Sequence, residues 1–221
     1  MLMQSPEGLE QCLRVAREHG LVRIADEVMT GFGRTGKLFA SSHTQEIPEI
    51  VCIAKGLTGG TLPLSATICQ EKIYDVFHSD DRMKAFYHGH SFTANPVACA
   101  AAHASLDLLE KPECLSRIES IVNAHKVFAD ELVAEGWNEY LDDIRQQGTI
   151  LALELKTPES SGYFNSLRDR IVKVFTDEQV LLRPLGNVVY ILPPYSSTQT
   201  DLNLAYQAIR KLLEEIYKHE R

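Results

Sequence analysis

Residues 49–60 read EIVCIAKGLTGG, and their punctuation decides the fold. Ile50 to Ile53 is an apolar run too short for a helix, and it stops at a lysine and a glycine ahead of the paired Gly59 and Gly60. That pattern predicts a short buried strand with Lys55 just past its end. Upstream, LVRIADEV (21–28) has the same character and ends in two acids, which predicts another short buried strand closing near Asp26. Downstream, the turn residues GGTLP lead into a third expected strand, LSATICQ (64–70). In an open α/β sheet, ligands gather beyond the carboxyl ends of the strands, so Lys55 carries functional weight by position alone.

Helices frame these strands. Leu9, Cys12, Leu13, Val15 and Ala16 recur near helical spacing from Pro6 to about His19, with Ser5 able to cap and Gly20 placed to stop. A helix so close to the start fits the interior of a longer protein. DDRMKAFYHGHSFTA (80–94) is polar, aromatic and aperiodic, and then Asn95 and Pro96 open an Ala-rich helix to about Glu110. Another helix is expected from about Leu115 to Glu135, ending at Gly136. Beyond it the pattern becomes mixed: a strand in TILALEL (149–155), a helix over about 163–178, short strands in VLLRP and VVYILP, and a terminal helix from about 199 to 218. This predicts a second, smaller α+β domain.

Composition excludes several functions. The 221 residues are 44% apolar and 24% charged, ordinary values for a globular protein with a sizeable core. A formal net charge of -8, with no run of Lys and Arg among aromatics, argues against nucleic acid as a partner. No stretch approaches the ~20 apolar residues of a membrane span, and MLMQSPEGLEQ lacks the pattern of an export signal. The five cysteines are scattered without a CxxC pair, so no metal site or disulfide framework is expected; most sit in apolar runs as candidate small core residues and suit a reducing cytoplasm.

Two short motifs fail on context. GFGRTG (31–36) fits the dinucleotide fingerprint, but KLFASSHTQEIP after it starts no convincing helix, and no acid closes a second strand about 20 residues on to hold a ribose. GLTGG (56–60) lacks the Gly-Lys-Ser/Thr ending of a phosphate-binding loop. Asp26 reads either as a solvated strand-end carboxylate or helix cap, or as an acid that keeps a heteroaromatic nitrogen protonated. Lys55 reads either as a surface lysine or as an amine whose apolar, small-residue surroundings lower its pKa and make it nucleophilic.

Four blocks in order carry a resemblance: ADEVMTGFGRTG (25–36), IVCIAKGLTGG (50–60), HGHSFTANPVACAAAHASL (88–106) and RPLGNVVYILPPY (183–195). Together they resemble the class III aminotransferases, pyridoxal-phosphate enzymes of fold type I. AKGLTGGTLPLSAT (54–67) with RPLGNVVYILPPY is similar, more narrowly, to members that convert 8-amino-7-oxononanoate to 7,8-diaminononanoate in biotin biosynthesis, with adenosylmethionine or lysine as amino donor. Members acting on ornithine, acetylornithine or 4-aminobutyrate fit the last block less well.

The resemblance implies an α/β fold, with residues 1–115 as the second part of a cofactor-binding large domain built on a mainly parallel sheet. Residues 116–221 would then be an interdomain helix and a small α+β C-terminal domain. It implies that Lys55 bonds pyridoxal phosphate covalently and then carries the transferred proton, that Asp26 partners the ring nitrogen, and that Val28 packs on one ring face. Ser91, with the backbone near His90, would bind the cofactor phosphate; some relatives carry Pro-Thr at this pair. Gly89 would approach the substrate, Arg183 would grip its carboxylate, and Tyr190 would line the same pocket or serve packing alone. It further implies a cytoplasmic homodimer with small-molecule partners, the amino donor and 8-amino-7-oxononanoate. The resemblance corresponds only to the second half of the family's pattern. The first strands, a Gly/Ser phosphate turn and the aromatic residue stacked on the cofactor have no equivalent here, so the chain is expected to be partial, active or not by itself.

Overall fold

Two compact units make up the chain, Gln4–Leu115 and Ser116–Arg221 with Met1–Met3. The computed structural model describes residues 1–159, 161, 162 and 164–217.

In the first unit, α1 spans Pro6–Glu18, and the Ser5 hydroxyl accepts the Gly8 N–H at 3.1 Å. This is the cap and proline start that the sequence predicts. The strands β1 (Ile24–Asp26) and β2 (Ile50–Ile53) are parallel, with Ile24 opposite Ile50 and Asp26 opposite Cys52. β3 (Ala66–Cys69) runs antiparallel to β2 and forms the far edge. A short helix α2 (Glu71–Tyr74) follows, then the irregular segment before α3 (Pro96–Leu109), whose first N–H groups are capped by Asn95 Oδ1.

A buried ion cluster holds the entrance of the sheet. The Arg23 guanidinium donates through Nε and Nη2 to the two oxygens of Glu49, at 2.9 and 2.7 Å, while the Arg23 N–H also donates to Glu49 and Nη1 pairs with Glu46. Planar guanidinium and carboxylate match in two parallel bonds, so Arg23 fixes the start of β1 to the residue preceding β2. Arg17 of α1 and Lys72 of α2 reach the same two acids.

The strands of this unit are less covered than their apolar runs predict. Leu21, Val22 and Ile24 are 61%, 56% and 62% exposed, and all four residues of β3 are exposed. Among the described residues no element packs over those side chains. The cysteines depart in the same way: all five are free, Cys12 and Cys69 are exposed, and the other three are only partly covered.

The second unit has the larger continuous core. β4 (Leu141–Gln147), β5 (Ile150–Leu155) and β6 (Val188–Ile191) form an antiparallel sheet in that order. β5 is central and buried at nearly every position, consistent with its unbroken apolar run. Helices α4 (Pro112–Ala134), α5 (Leu167–Asp177) and α6 (Gln199–Tyr217) supply Phe128, Leu132, Ile171, Phe175, Leu212 and Leu213 to this core. Each such side chain contributes roughly 1.5–3 kcal/mol of burial. Two positions at the ends of expected helices, Tyr163 and Lys218, lie outside the described residues.

Two differences from the expected elements have local causes. β4 is absent from the sequence reading because LDDIRQQ is too polar to show a strand alternation. VLLRP forms no strand: Gln179 turns the chain at φ 58°, the Leu182 N–H donates to Val180 O, and Pro184 has no N–H to offer a ladder. No helix among the described residues is long and apolar enough to cross a membrane.

His125 of α4 is fully buried, with Nε2 at 3.2 Å from Thr149 O and Nδ1 at 2.7 Å from the Tyr206 hydroxyl. A carbonyl only accepts, so Nε2 bears the proton and Nδ1 accepts from Tyr206. Burial pushes the imidazole pKa down to about 4, against the weaker raising effect of the Thr149 bond.

Both the buried imidazole and the buried ion cluster make stability depend on pH. The unfolded chain protonates His125 near its ordinary pKa while the folded unit resists until about 4, so the second unit loses stability as pH falls from about 6.5. The loss reaches on the order of 3 kcal/mol, and His125→Gln, read by thermal melts between pH 7 and 4.5, flattens it. Glu49 is held far below the usual carboxylate range, chiefly by the Arg23 side chain and backbone bonds. Its contribution is complete above the ordinary glutamate value of about 4.3 and erodes as pH falls below it. Arg23→Leu leaves Glu46 to Arg17 and Glu49 to Lys72 alone and lowers stability by about 1.5–3 kcal/mol in urea titration.

Candidate functional site

Backbone alternation separates Asp26, the last residue of β1, from Glu27 just beyond it. Side chains alternate across a strand, and Asp26 is exposed while Glu27 is 1% exposed. Glu27 accepts from Thr30 Oγ1, from Ala40 N at 3.0 Å and from Ser41 N at 2.7 Å. It therefore closes the loop between β1 and β2 with a buried carboxylate. The Asp26 carboxylate accepts only the Val28 N–H, at 3.1 Å, among the described residues, and faces outward, while its carbonyl accepts from the Thr30 hydroxyl. Val28 is half-buried beside it.

The parallel register sets Asp26 opposite Cys52, and Lys55 follows at the end of that same neighbouring strand. An acid and an amine thus share the carboxyl end of the only parallel pair in the unit's sheet, among the described residues. Neither has an ion-pair partner there. Of the two readings of Lys55 that the sequence offers, the structure gives the exposed one, because the chain turns at Lys55 and throws the side chain outward.

That turn is strained and tightly seated. Lys55 has φ 45°, a left-handed conformation rare for a residue with a side chain, and opens a 3-10 turn over Lys55–Thr58. A Cβ on Gly56 would stand 2.8 Å from Phe32 Cδ2 and 2.9 Å from Phe32 Cβ, so only glycine admits the Phe32 ring there. Phe32 is itself left-handed at φ 59° and packs edge-on to Phe39. The Ser105 hydroxyl of α3 donates to Gly56 O at 3.1 Å, and the Gly60 N–H donates to Lys55 O at 3.2 Å. Two left-handed residues, Lys55 and the Phe32 that packs on Gly56, mark this turn as a place where backbone energy is spent on position.

GFGRTG is the loop that carries Phe32 to this seat. Gly33 and Gly36 take φ 96° and 87°, the Gly33 N–H donates to Leu38 O, and only a short 3-10 turn, Ala40–His43, follows. No helix begins where a dinucleotide fingerprint needs one.

Gly89, His90 and Ser91 belong to the same unit and are exposed. Nothing lies within 4 Å of a Cβ added to Gly89. His90 spends its groups locally: its N–H donates to Thr93 Oγ1 at 3.2 Å, its carbonyl accepts from the Thr93 hydroxyl, and its Nδ1 accepts the Phe92 N–H at 3.1 Å. The His90 N–H is therefore committed within the turn, whereas the Ser91 N–H and hydroxyl donate to nothing among the described residues. Arg183 and Tyr190 belong to the other unit; Arg183 is exposed, and Tyr190 is half-buried on β6 opposite Ala152. Among the described residues no cluster of His, Cys, Asp and Glu could hold a metal ion.

Sequence reasoning missed Glu27, Phe32, Ser105 and Asn187. Glu27 was legible as the inward partner of an outward Asp26. Asn187, wholly buried, donates from Nδ2 to Leu155 O at 2.9 Å and accepts the Gly162 N–H, tying the turn before β6 to the end of β5. Phe32 and Ser105 carry no signal in a single sequence, since both act by meeting Gly56 across the fold.

The family profile described as aminotransferase class-III matches residues 1–213. The adenosylmethionine-8-amino-7-oxononanoate aminotransferase of Synechococcus elongatus is 44% identical over 216 residues, covering 98% of this chain and 50% of the relative. The protein of that name from Geobacter sulfurreducens is 37% identical, covering 98% of this chain and 48% of its own length. The crystal structure of the one from Methanocaldococcus jannaschii superposes with a TM-score of 0.82 at 32% identity, over 94% of this chain and 49% of that one. The chain spans about half the length of the curated relatives it matches.

The seat of Lys55 is open to a direct test. Gly56→Ala forces Phe32 to move and lowers the stability of the first unit by about 1–3 kcal/mol. In a Phe32→Ala background the same change costs less than about 0.5 kcal/mol, a coupling that a double-mutant cycle in urea reads out.

Proposed function

The chain belongs to the class III aminotransferases, with the fold of part of a fold-type I enzyme, and from that premise we propose that it carries the covalent anchor and the proton carrier of a pyridoxal-phosphate transaminase. The observation that carries the reading is the outward pair of Asp26 and Lys55 on neighbouring strand ends, each without an ion partner among the described residues. We read residues 1–115 as the second part of the cofactor-binding domain and 116–221 as the interdomain helix and small domain.

When bound, pyridoxal phosphate supplies an electron sink that makes the carbon bearing the transferred nitrogen acidic. Asp26 serves it by electrostatics: a carboxylate beside the ring nitrogen keeps that nitrogen protonated. Val28 offers an apolar side chain beside Asp26 for one ring face. Lys55 Nζ would anchor the cofactor, and once freed it would take the substrate proton as base and return it as acid. The Ser91 hydroxyl and N–H suit a phosphate, and His90 shapes their turn. Gly89 leaves space for the substrate. Arg183 suits a substrate carboxylate through its guanidinium fork, with Tyr190 as a neighbouring contact.

The relatives' names extend the proposal to amino transfer between adenosylmethionine and 8-amino-7-oxononanoate, the step that gives 7,8-diaminononanoate on the way to biotin. The five free thiols fit a reducing cytoplasm. Exposed Phe86, Tyr87 and Phe92 beside Gly89 to Ser91 support a homodimer that covers this segment. The uncovered Leu21, Val22 and Ile24 favour a second reading, in which the chain holds cofactor but turns over only beside further polypeptide.

Purified protein given pyridoxal phosphate, 8-amino-7-oxononanoate and adenosylmethionine, or lysine as the alternative donor, is expected to form the diamine, with Lys55→Ala slower by at least about a hundredfold. Cofactor uptake without turnover supports the second reading. Equal turnover by the parent chain and Lys55→Ala contradicts the proposal.

A further inference from the structure

A lysine that must deliver its amine to one place needs a fixed origin, and the hydroxyl of Ser105 is spent on that origin. Serine inside a helix commonly bonds back to the carbonyl four residues earlier, as Ser120 does to Ser116 O at 2.9 Å. Ser105, in the Ala-rich helix α3, instead donates across 49 positions of sequence to Gly56 O at 3.1 Å. The same hydroxyl lies 3.3 Å from where a Cβ of Gly59 would stand, so it fills the concave side of the turn that Lys55 opens. Phe32 closes the opposite side against the Gly56 α-carbon.

The geometry points to Ser105 as a positioning residue for Lys55, acting through the Gly56 carbonyl to keep the lysine backbone in its left-handed state. This rests on the reading of Lys55 as cofactor anchor. Without the hydroxyl, the Gly56 carbonyl loses its tether to α3 and the turn relaxes toward ordinary backbone angles. Lys55 Nζ then spends less time beyond the strand end. One neutral hydrogen bond is worth roughly two- to tenfold in population, which sets the size of the effect.

The test uses the full chain and pyridoxal phosphate itself, trapped by borohydride at short times, with labelled peptides counted by mass spectrometry. The exposed Lys84 and Lys72 of the same unit serve as internal references. Ser105→Ala and the nearly isosteric Ser105→Cys are expected to lower labelling of Lys55 about fivefold relative to Lys84 and Lys72, and Ser105→Thr to restore it. A purely structural serine lowers the urea midpoint of Ser105→Ala and leaves the labelling ratio unchanged, which overturns the inference alone. If the parent chain labels Lys55 no faster than Lys84, the anchor reading falls and the inference falls with it.

Discussion

A left-handed lysine is a costly thing to build, and the first unit is arranged around holding one. Leaving the allowed region costs a residue with a side chain about 1–3 kcal/mol, and Lys55 bears this at φ 45°. The cost is offset by contacts that converge on the next residue: Phe32 against the bare α-carbon of Gly56, Ser105 on its carbonyl, and the Gly60 N–H on Lys55 O. Glu27 closes the loop that carries Phe32 with a buried carboxylate, and it points inward where Asp26, the last residue of β1, points outward. One alternation of the chain at the end of β1 thus sets the inward support and the outward acid apart.

The two units hold together by different means. In the second, a continuous apolar core of three helices against an antiparallel sheet supplies the stability, and the buried imidazole of His125 is neutral and bonded at both nitrogens. In the first, the strands are short and partly uncovered, and the Arg23, Glu46 and Glu49 cluster replaces missing apolar burial at the sheet entrance. Buried ion pairs stabilise less than apolar packing of the same volume but specify geometry more sharply. Here the specified geometry is the alignment of β1 with β2, which fixes how Asp26 stands to Lys55.

Much of this was legible in the sequence. Ser5 and Pro6 start α1, Asn95 and Pro96 start α3, and IVCI forms the strand that Lys55 follows, because caps, prolines and short apolar runs act through local chemistry. What could not be read depends on distant contacts. LDDIRQQ becomes a strand through its neighbour β5, VLLRP fails to become one for want of donors, and Leu21, Val22 and Ile24 are strand-like yet exposed because the unit has nothing over them. At the candidate site, the ordered blocks that resemble the family pointed to Lys55 and Asp26, which residue type alone left as surface groups, whereas the contacts of Glu27, Phe32 and Ser105 exist only in three dimensions. The local turn in which the His90 N–H donates to Thr93 Oγ1 likewise shows only in the structure.

The central claim is that Lys55 and Asp26 hold one cofactor between neighbouring strand ends. A crystal structure of the protein soaked with pyridoxal phosphate tests it most directly. The account predicts electron density continuous from Lys55 Nζ into the cofactor, with an Asp26 oxygen about 2.7–3.2 Å from the ring nitrogen. Cofactor density away from both residues, or a ring nitrogen paired with another group while the Lys55 side chain stays free, contradicts it.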